Sequence, residues 1–159
     1  MTETIDNASP RPLLVIRRAT HEDVPWLLQE LRAFAGWNGL RLFGDEAHAE
    51  ALVGQLIETQ FVAIATRGDN RLGLIAGVIN PHPFNPDLDM ATELWWWVTP
   101  DARGSSAGAR LLDAFDQWAD ESGADLVSFT LESESPVNPR TLERRGYRLA
   151  EYQFVREVS

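Results

Sequence analysis

The chain has 159 residues, 44% of them hydrophobic and 24% charged, which is enough apolar material for one folded core. Lysine and arginine number 14 against 24 aspartates and glutamates. The resulting net charge of −10 opposes binding to a nucleic-acid backbone and suits a cationic partner such as an amine, or simple solubility. Cysteine is absent, which excludes disulfides, thiolate metal sites and a cysteine nucleophile and fits a cytoplasmic protein. No apolar run reaches the length of a membrane span.

Residues 1–12 are polar and contain proline, and are expected to be a flexible tail and not a signal peptide, leaving residues 13–159 as a single domain. Leu13 to Arg17 reads as a strand. Thr20 is placed to cap a helix, with Asp23 three residues on and Val24, Leu27, Leu28 and Leu31 at helical spacing. A second helix is expected from about Asp45, carrying Leu52, Leu56 and Ile57 on one face. Phe61 to Ala65 and Leu72 to Ile79 read as strands joined by the turn Arg67-Gly68-Asp69-Asn70. The stretch from Asn80 to Asp87 has three prolines and is expected to be a loop, because proline cannot donate to a ladder. Met90 to Val98 reads as the next strand. Ser106 to Ser122 follows as a strongly amphipathic helix stopped by Gly123. Leu126 to Leu131 has the composition of a buried strand. A short helix from Pro139 to Arg145 is capped by Ser135 or Asn138 and ends at Gly146. Tyr147 to Leu149 and Glu151 to Arg156 are expected to close the chain as strands. The fold class is therefore mixed α/β, with a mostly antiparallel sheet of about seven strands, about four helices, and one crossover helix after the fourth strand.

The segment Val98-Thr99-Pro100-Asp101-Ala102-Arg103-Gly104-Ser105-Ser106-Ala107-Gly108-Ala109 carries the chemistry. An apolar strand runs through a short turn and a loop of tiny side chains straight into a helix. Tiny side chains let a ligand approach the main chain. The unpaired N–H groups of the first helical turn and the helix dipole then favour an anion. Arg103 stands at the lip as a cation, and Arg110 is a second cation for phosphate. A phosphate loop of a different fold is disfavoured, since no Gly-Lys-Ser/Thr follows and no βαβ unit repeats.

Three stretches resemble the GNAT superfamily of N-acetyltransferases, over roughly Leu13 to the C-terminus. They are Val15 to Asp23, the segment from Val98 through Gly104 with Gly108, Leu111 and Leu112, and Leu142-Glu143-Arg144-Arg145-Gly146-Tyr147. The middle stretch is similar to the family's acyl-CoA motif Gln/Arg-x-x-Gly-x-Gly/Ala, with Arg103 first, Gly108 last and Ser106 replacing the first glycine. The resemblance implies transfer of an acetyl group from the cosubstrate acetyl-CoA to a primary amine, by direct attack through a tetrahedral intermediate. Trp97, Val98, Thr99, Arg103, Gly104, Ser105, Ser106, Ala107, Gly108, Ala109 and Asn138 would hold the cofactor. The amine would belong to a small molecule or a peptide, and a homodimer is compatible with the family. The tyrosine that many members use to protonate the departing thiolate falls on Leu142.

Glu93 begins an otherwise apolar strand beside three tryptophans and is the candidate general base. The alternative for Glu93 is a charge that blocks edge pairing. Tyr147 is the remaining candidate proton donor, although it does not align with the family's acid. Strict alternation puts Trp95 and Trp97 on one face with Glu93, and Trp96 opposite. Trp95, His82, Trp37 and Phe43 are candidates for the acceptor side, with Phe34 nearby. Glu132, Glu134 and Asp87 are acidic groups able to hold a cationic amine. The three histidines show no metal-ligand spacing, so no metal is expected. A competing functional class is an acyl-CoA-binding or protein-interaction module with little or no turnover, suggested by Ser106 and Leu142.

Overall fold

A computed structural model describes residues 12–36, 43–156 and 158. Among them, five strands form one sheet: β1 (Leu14–Arg18), β2 (Phe61–Arg67), β3 (Asn70–His82), β4 (Asn85–Val98) and β5 (Leu126–Ser128), in spatial order β1-β2-β3-β4-β5. The first four are antiparallel neighbours, and β5 joins β4 in parallel. The helices are α1 (Val24–Ala35), α2 (Glu46–Thr59), α3 (Ala107–Glu121) and the single turn α4 (Arg140–Glu143). α3 is the crossover that a parallel β4–β5 pair requires.

The sheet divides two cores. On one face Leu27, Leu28 and Leu31 of α1 and Val53 and Leu56 of α2 pack on Ile64, Leu74, Ala76 and Trp97. On the other, Leu111, Leu112 and Phe115 of α3 pack on Phe61, Ala63, Ala65 and Ile75. α3 approaches β3 so closely that a Cβ on Gly77 would lie 2.5 Å from the Phe115 ring. Thr20 begins a 3-10 turn, His21–Asp23, that leads into α1, and Asp45 caps α2 by accepting the N–H of Ala47 at 2.9 Å. The buried Asp23 carboxylate ties this corner to the sheet. It accepts from Arg17 at 2.7 and 2.8 Å, Arg71 at 3.0 Å and the Thr20 N–H at 2.9 Å.

The structure departs from the sequence reading in four places. The proline-rich stretch is no loop: β3 and β4 run on as a hairpin arm to the pair His82–Asn85, with a register irregularity at Pro81. β2 pairs no further than Gly77, so beyond it one side of β3 has no ladder for a missing donor to break. β5 is shorter than expected and ends at Ser128. The two closing strands are absent among the described residues, which makes five strands and not seven. Leu149, Tyr152, Phe154 and Val155 are exposed instead. Their composition favours strand, but a strand forms only on a partner edge, and β5 offers three residues. The fourth departure lies on β4. Ala76 pairs with Trp95 and Gly77 with Glu93, so Leu94 is an extra residue. Such a bulge resets the two-residue alternation. Leu94, Trp95 and Trp97 lie on the α1/α2 face, Trp96 and Val98 on the α3 face. Glu93, opposite Gly77, joins Trp96 and not Trp95 and Trp97.

Candidate active site

β4 and β5 pair only from Met90–Leu126 to Thr92–Ser128. Beyond Thr92, β4 continues to Val98 while the chain after β5 turns away, and the sheet splits. A cavity of about 640 Å³ fills the split. Glu93 to Val98 form one wall and Thr130, Leu131, Glu132 and Ser135 to Val137 the other, with Phe34 and Thr141 at the margins. Arg103, Gly104, Ser105, Gly108 and Ala109 close one end. A wider groove of about 900 Å³ between α1 and α2 touches neither β4 nor this loop.

The closed end is the loop of tiny residues. Gly104 turns the chain at φ 83°, a conformation that disfavours a side chain, and open space lies where a Cβ would project. Ser105 Oγ accepts the Ala107 N–H at 3.2 Å, and the Arg110 N–H reaches the Ser106 carbonyl at 3.0 Å. The N–H groups of Ser106, Gly108 and Ala109 have no acceptor among the described residues. They are the orphan donors of the first turn of a helix; Gly108 and Ala109 line the cavity, whereas Ser106 does not. Arg103 lies in the wall: its Nε donates to the Val98 carbonyl at 3.3 Å and its guanidinium sits 4.8 Å above the Trp97 ring.

At the other end stands Glu93, 7% exposed. Burial pushes its pKa from 4.5 up to about 8. The Thr130 N–H, donating to Oε2 at 3.3 Å, opposes the rise, and the charge of Glu132 adds to it. Glu132 is itself raised by burial, and its Oε2 is enclosed with no hydrogen-bond partner among the described residues. The bulge at Leu94 is what turns Glu93 toward Thr130, since without it the side chain would face α1.

The remaining expected site residues divide by position. Trp95 lines the cavity. Trp97 lines it too, but most of its ring is core: it meets Phe34 edge-on at 6.0 Å, and its Nε1 donates to the buried Glu30 at 2.8 Å. Trp96 shows a face to the cavity while donating to the Gly108 carbonyl at 3.2 Å. Ala107 is fully buried under the loop, and Thr99 is turned to the Leu72 carbonyl. Neither side chain lines the cavity. Arg110 is turned from the loop to the Leu14 carbonyl. Asn138 is exposed and accepts the Arg140 N–H at 3.0 Å. His82 is at the tip of the β3–β4 arm beside Phe84, and Phe43 packs under Arg32 at 5.0 Å; both lie outside the cavity. Trp37 is outside the described residues. Tyr147 does not line the cavity; its ring meets Phe129 edge-on at 6.1 Å and its hydroxyl donates to Asp116 beside the Arg145–Asp113 ion pair. Burial and the Asp116 carboxylate hold its pKa above the usual phenol range. Leu142, at the position where the resemblance implies a tyrosine, is buried under α3. The wall from Thr130 to Val137 was missed as a unit, apart from Glu132. It has no periodicity, and only the turn residues Ser135 and Pro136 mark it in sequence.

A family model described as the acetyltransferase (GNAT) family matches residues 17–147. The chain belongs to the GNAT acetyltransferase family. Solved structures share its fold. A transcriptional regulator from Bacillus halodurans C-125 superposes with a TM-score of 0.74 at 19% identity, covering 92% of this chain and 100% of the other. A ribosomal-protein-alanine N-acetyltransferase from Brucella melitensis biovar Abortus 2308 gives 0.68 at 18%, covering 91% and 99%. The aminoglycoside N-acetyltransferase AAC(6')-Iy in complex with CoA gives 0.73 at 14%, covering 94% and 97%. No curated protein matches this GNAT chain in sequence. None of its described helices is long and apolar enough to cross a membrane.

Proposed function

We propose that this chain transfers the acetyl group of acetyl-CoA to a primary amine. One observation carries the reading: a single cavity has unpaired helix N–H groups at one end and the buried carboxyl of Glu93 at the other. The loop fits a pyrophosphate, because its donors are unpaired and the space over Gly104 is open. The unpartnered edge of β4 offers main-chain groups to the pantetheine arm and to the oxygen of the thioester. Trp95, Trp96 and Leu94 keep water from the reacting carbon.

Glu93 supplies the base. With a pKa of about 8, roughly a tenth of it is ionised at pH 7, and it holds a proton more strongly than an ordinary carboxylate. The amine nitrogen attacks the thioester carbon directly, passing through a tetrahedral intermediate. The C–N bond forms, the C–S bond breaks, the nitrogen's proton passes to Glu93, and the sulfur leaves as CoA thiolate. No residue is acylated.

The test is release of CoA thiol in the presence of acetyl-CoA and a panel of primary amines. The account expects kcat/KM to rise with pH through about 8 and Glu93→Gln to lower it by about 10²- to 10⁴-fold. A rate equal to the uncatalysed one with every amine contradicts it. One observation favours a CoA-binding module with little turnover: no phenol lines the cavity among the described residues. That reading expects tight CoA binding and no release of thiol.

A further inference from the structure

We infer that Glu30, which lies outside the cavity, is a positioning residue for CoA: through the indole of Trp97 it fixes the Arg103 guanidinium against the phosphates of the cofactor. The inference rests on the CoA-binding half of the acetyl-transfer reading and adds a residue of α1 to it.

Three acidic residues are buried among those described: Asp23, Glu30 and Glu93. Asp23 is anchored by Arg17 and Arg71, and Glu93 faces the cavity. Among the described residues Glu30 has no such ion pair, and it does not line the cavity. It is 8% exposed, on a helix whose neighbouring Leu27, Leu31 and Phe34 belong to the apolar core. A carboxyl in that place carries a desolvation cost that leucine would not. Its Oε2 accepts the Trp97 Nε1–H at 2.8 Å, a buried hydrogen bond from α1 to the end of β4. One helical turn on, Phe34 meets the same indole edge-on, with centroids 6.0 Å apart and planes at 80°. Residues four apart share a helix face, so α1 grips this ring at two points.

The gripped ring carries the cation. The Arg103 guanidinium lies 4.8 Å from the Trp97 centroid, and its Nε donates to the Val98 carbonyl at 3.3 Å. Arg103 lines the closed end of the cavity together with Gly104, Ser105, Gly108 and Ala109. A cation is attracted to the face of an aromatic ring, so tilting the indole moves or releases the guanidinium. A guanidinium binds phosphate through a planar fork of donors, and one already held in place loses less freedom when the phosphate arrives. The contacts Glu30–Trp97–Arg103 thus run from the core under α1 to the phosphate end of the site.

The experiment is titration calorimetry of CoA against the wild type, Glu30→Leu, Glu30→Gln, Arg103→Ala and the double variant Glu30→Leu/Arg103→Ala. Glu30→Leu is expected to weaken CoA about three- to tenfold. Glu30→Gln, whose amide oxygen still accepts the indole N–H, should recover most of that loss, and Trp97→Phe, which keeps a ring without the N–H, should reproduce it. In the double variant Glu30→Leu should add nothing to the loss from Arg103→Ala, because Glu30 acts through Arg103. With a fixed amine, KM for acetyl-CoA should rise in Glu30→Leu, while KM for S-acetylpantetheine, which has no phosphate, stays as in the wild type. A loss of packing alone would weaken both thioesters and would add to Arg103→Ala. Either of those results, or equal CoA affinity in the wild type and Glu30→Leu, overturns the inference and leaves the acetyl-transfer reading standing. No CoA binding by the wild type removes both.

Discussion

Glu93 sets a signature on folding stability that is independent of any substrate. Its carboxyl titrates near 4.5 in an unfolded chain and near 8 when folded. Between those values the folded protein keeps a proton that the unfolded chain has lost. Wild-type stability therefore falls as pH rises from about 4.5, and the loss levels off above about 8. At about 1.4 kcal/mol for each pH unit, the cost is about 3 kcal/mol at pH 7 and about 5 kcal/mol above pH 9. Glu93→Gln cannot ionise, and its amide oxygen can still accept the Thr130 N–H. The variant should match the wild type near pH 4.5 and exceed it by several kcal/mol at pH 9. Urea unfolding of both proteins at pH 5, 7 and 9 measures the difference, in which other titrating groups cancel. Parallel pH curves, or a wild type that gains on the variant as pH rises, would refute the argument that burial governs this carboxyl.

Three further substitutions probe the frame around the site. Gly77→Ala drives a methyl to 2.5 Å from Phe115 and 3.0 Å from the Thr92 carbonyl, and should cost about 1–3 kcal/mol in chemical denaturation. Asp23→Asn strips the counter-charge from the part-exposed Arg17 and Arg71 and should cost about 2–3 kcal/mol at pH 7. Hydrogen bonds from Arg17, then Thr20 and Arg71, hold Asp23 below the usual carboxylate range. That stability is present above the unfolded pKa and lost as pH falls, so wild type and variant should converge in acid. Tyr147→Phe removes a hydrogen bond to Asp116 and should cost about 1–2 kcal/mol while leaving kcat and its pH profile in place. A large fall in kcat would return the phenol to the reaction.

The parts of the site that rest on local chemistry were legible in the sequence. Tiny residues between a strand and an amphipathic helix announce a ligand-facing helix N-terminus, and Arg103 to Ala109 form one at the end of the cavity. Glu93 stood out as a charge at the head of an apolar strand. What was not legible depends on partners. The bulge at Leu94 has no signature of its own, and a single extra residue moves Glu93 to the opposite face. The prolines at 81 and 83 look like breakers until β3 is seen to outrun β2. Tyr152 and Phe154 have strand composition but no edge to join. Glu132 reads as a solvated acid on a loop, and only the tertiary fold encloses its oxygen.

The central claim is that the unpaired amides opening α3 hold the diphosphate of CoA. Ala109→Pro deletes one of them at an exposed position in the first helical turn, where proline is tolerated because no helical acceptor is lost. Titration calorimetry with CoA should show at least about a tenfold loss of affinity with the melting temperature nearly unchanged. Undiminished affinity in the proline variant, or no heat from CoA with the wild type at millimolar concentration, would contradict the account.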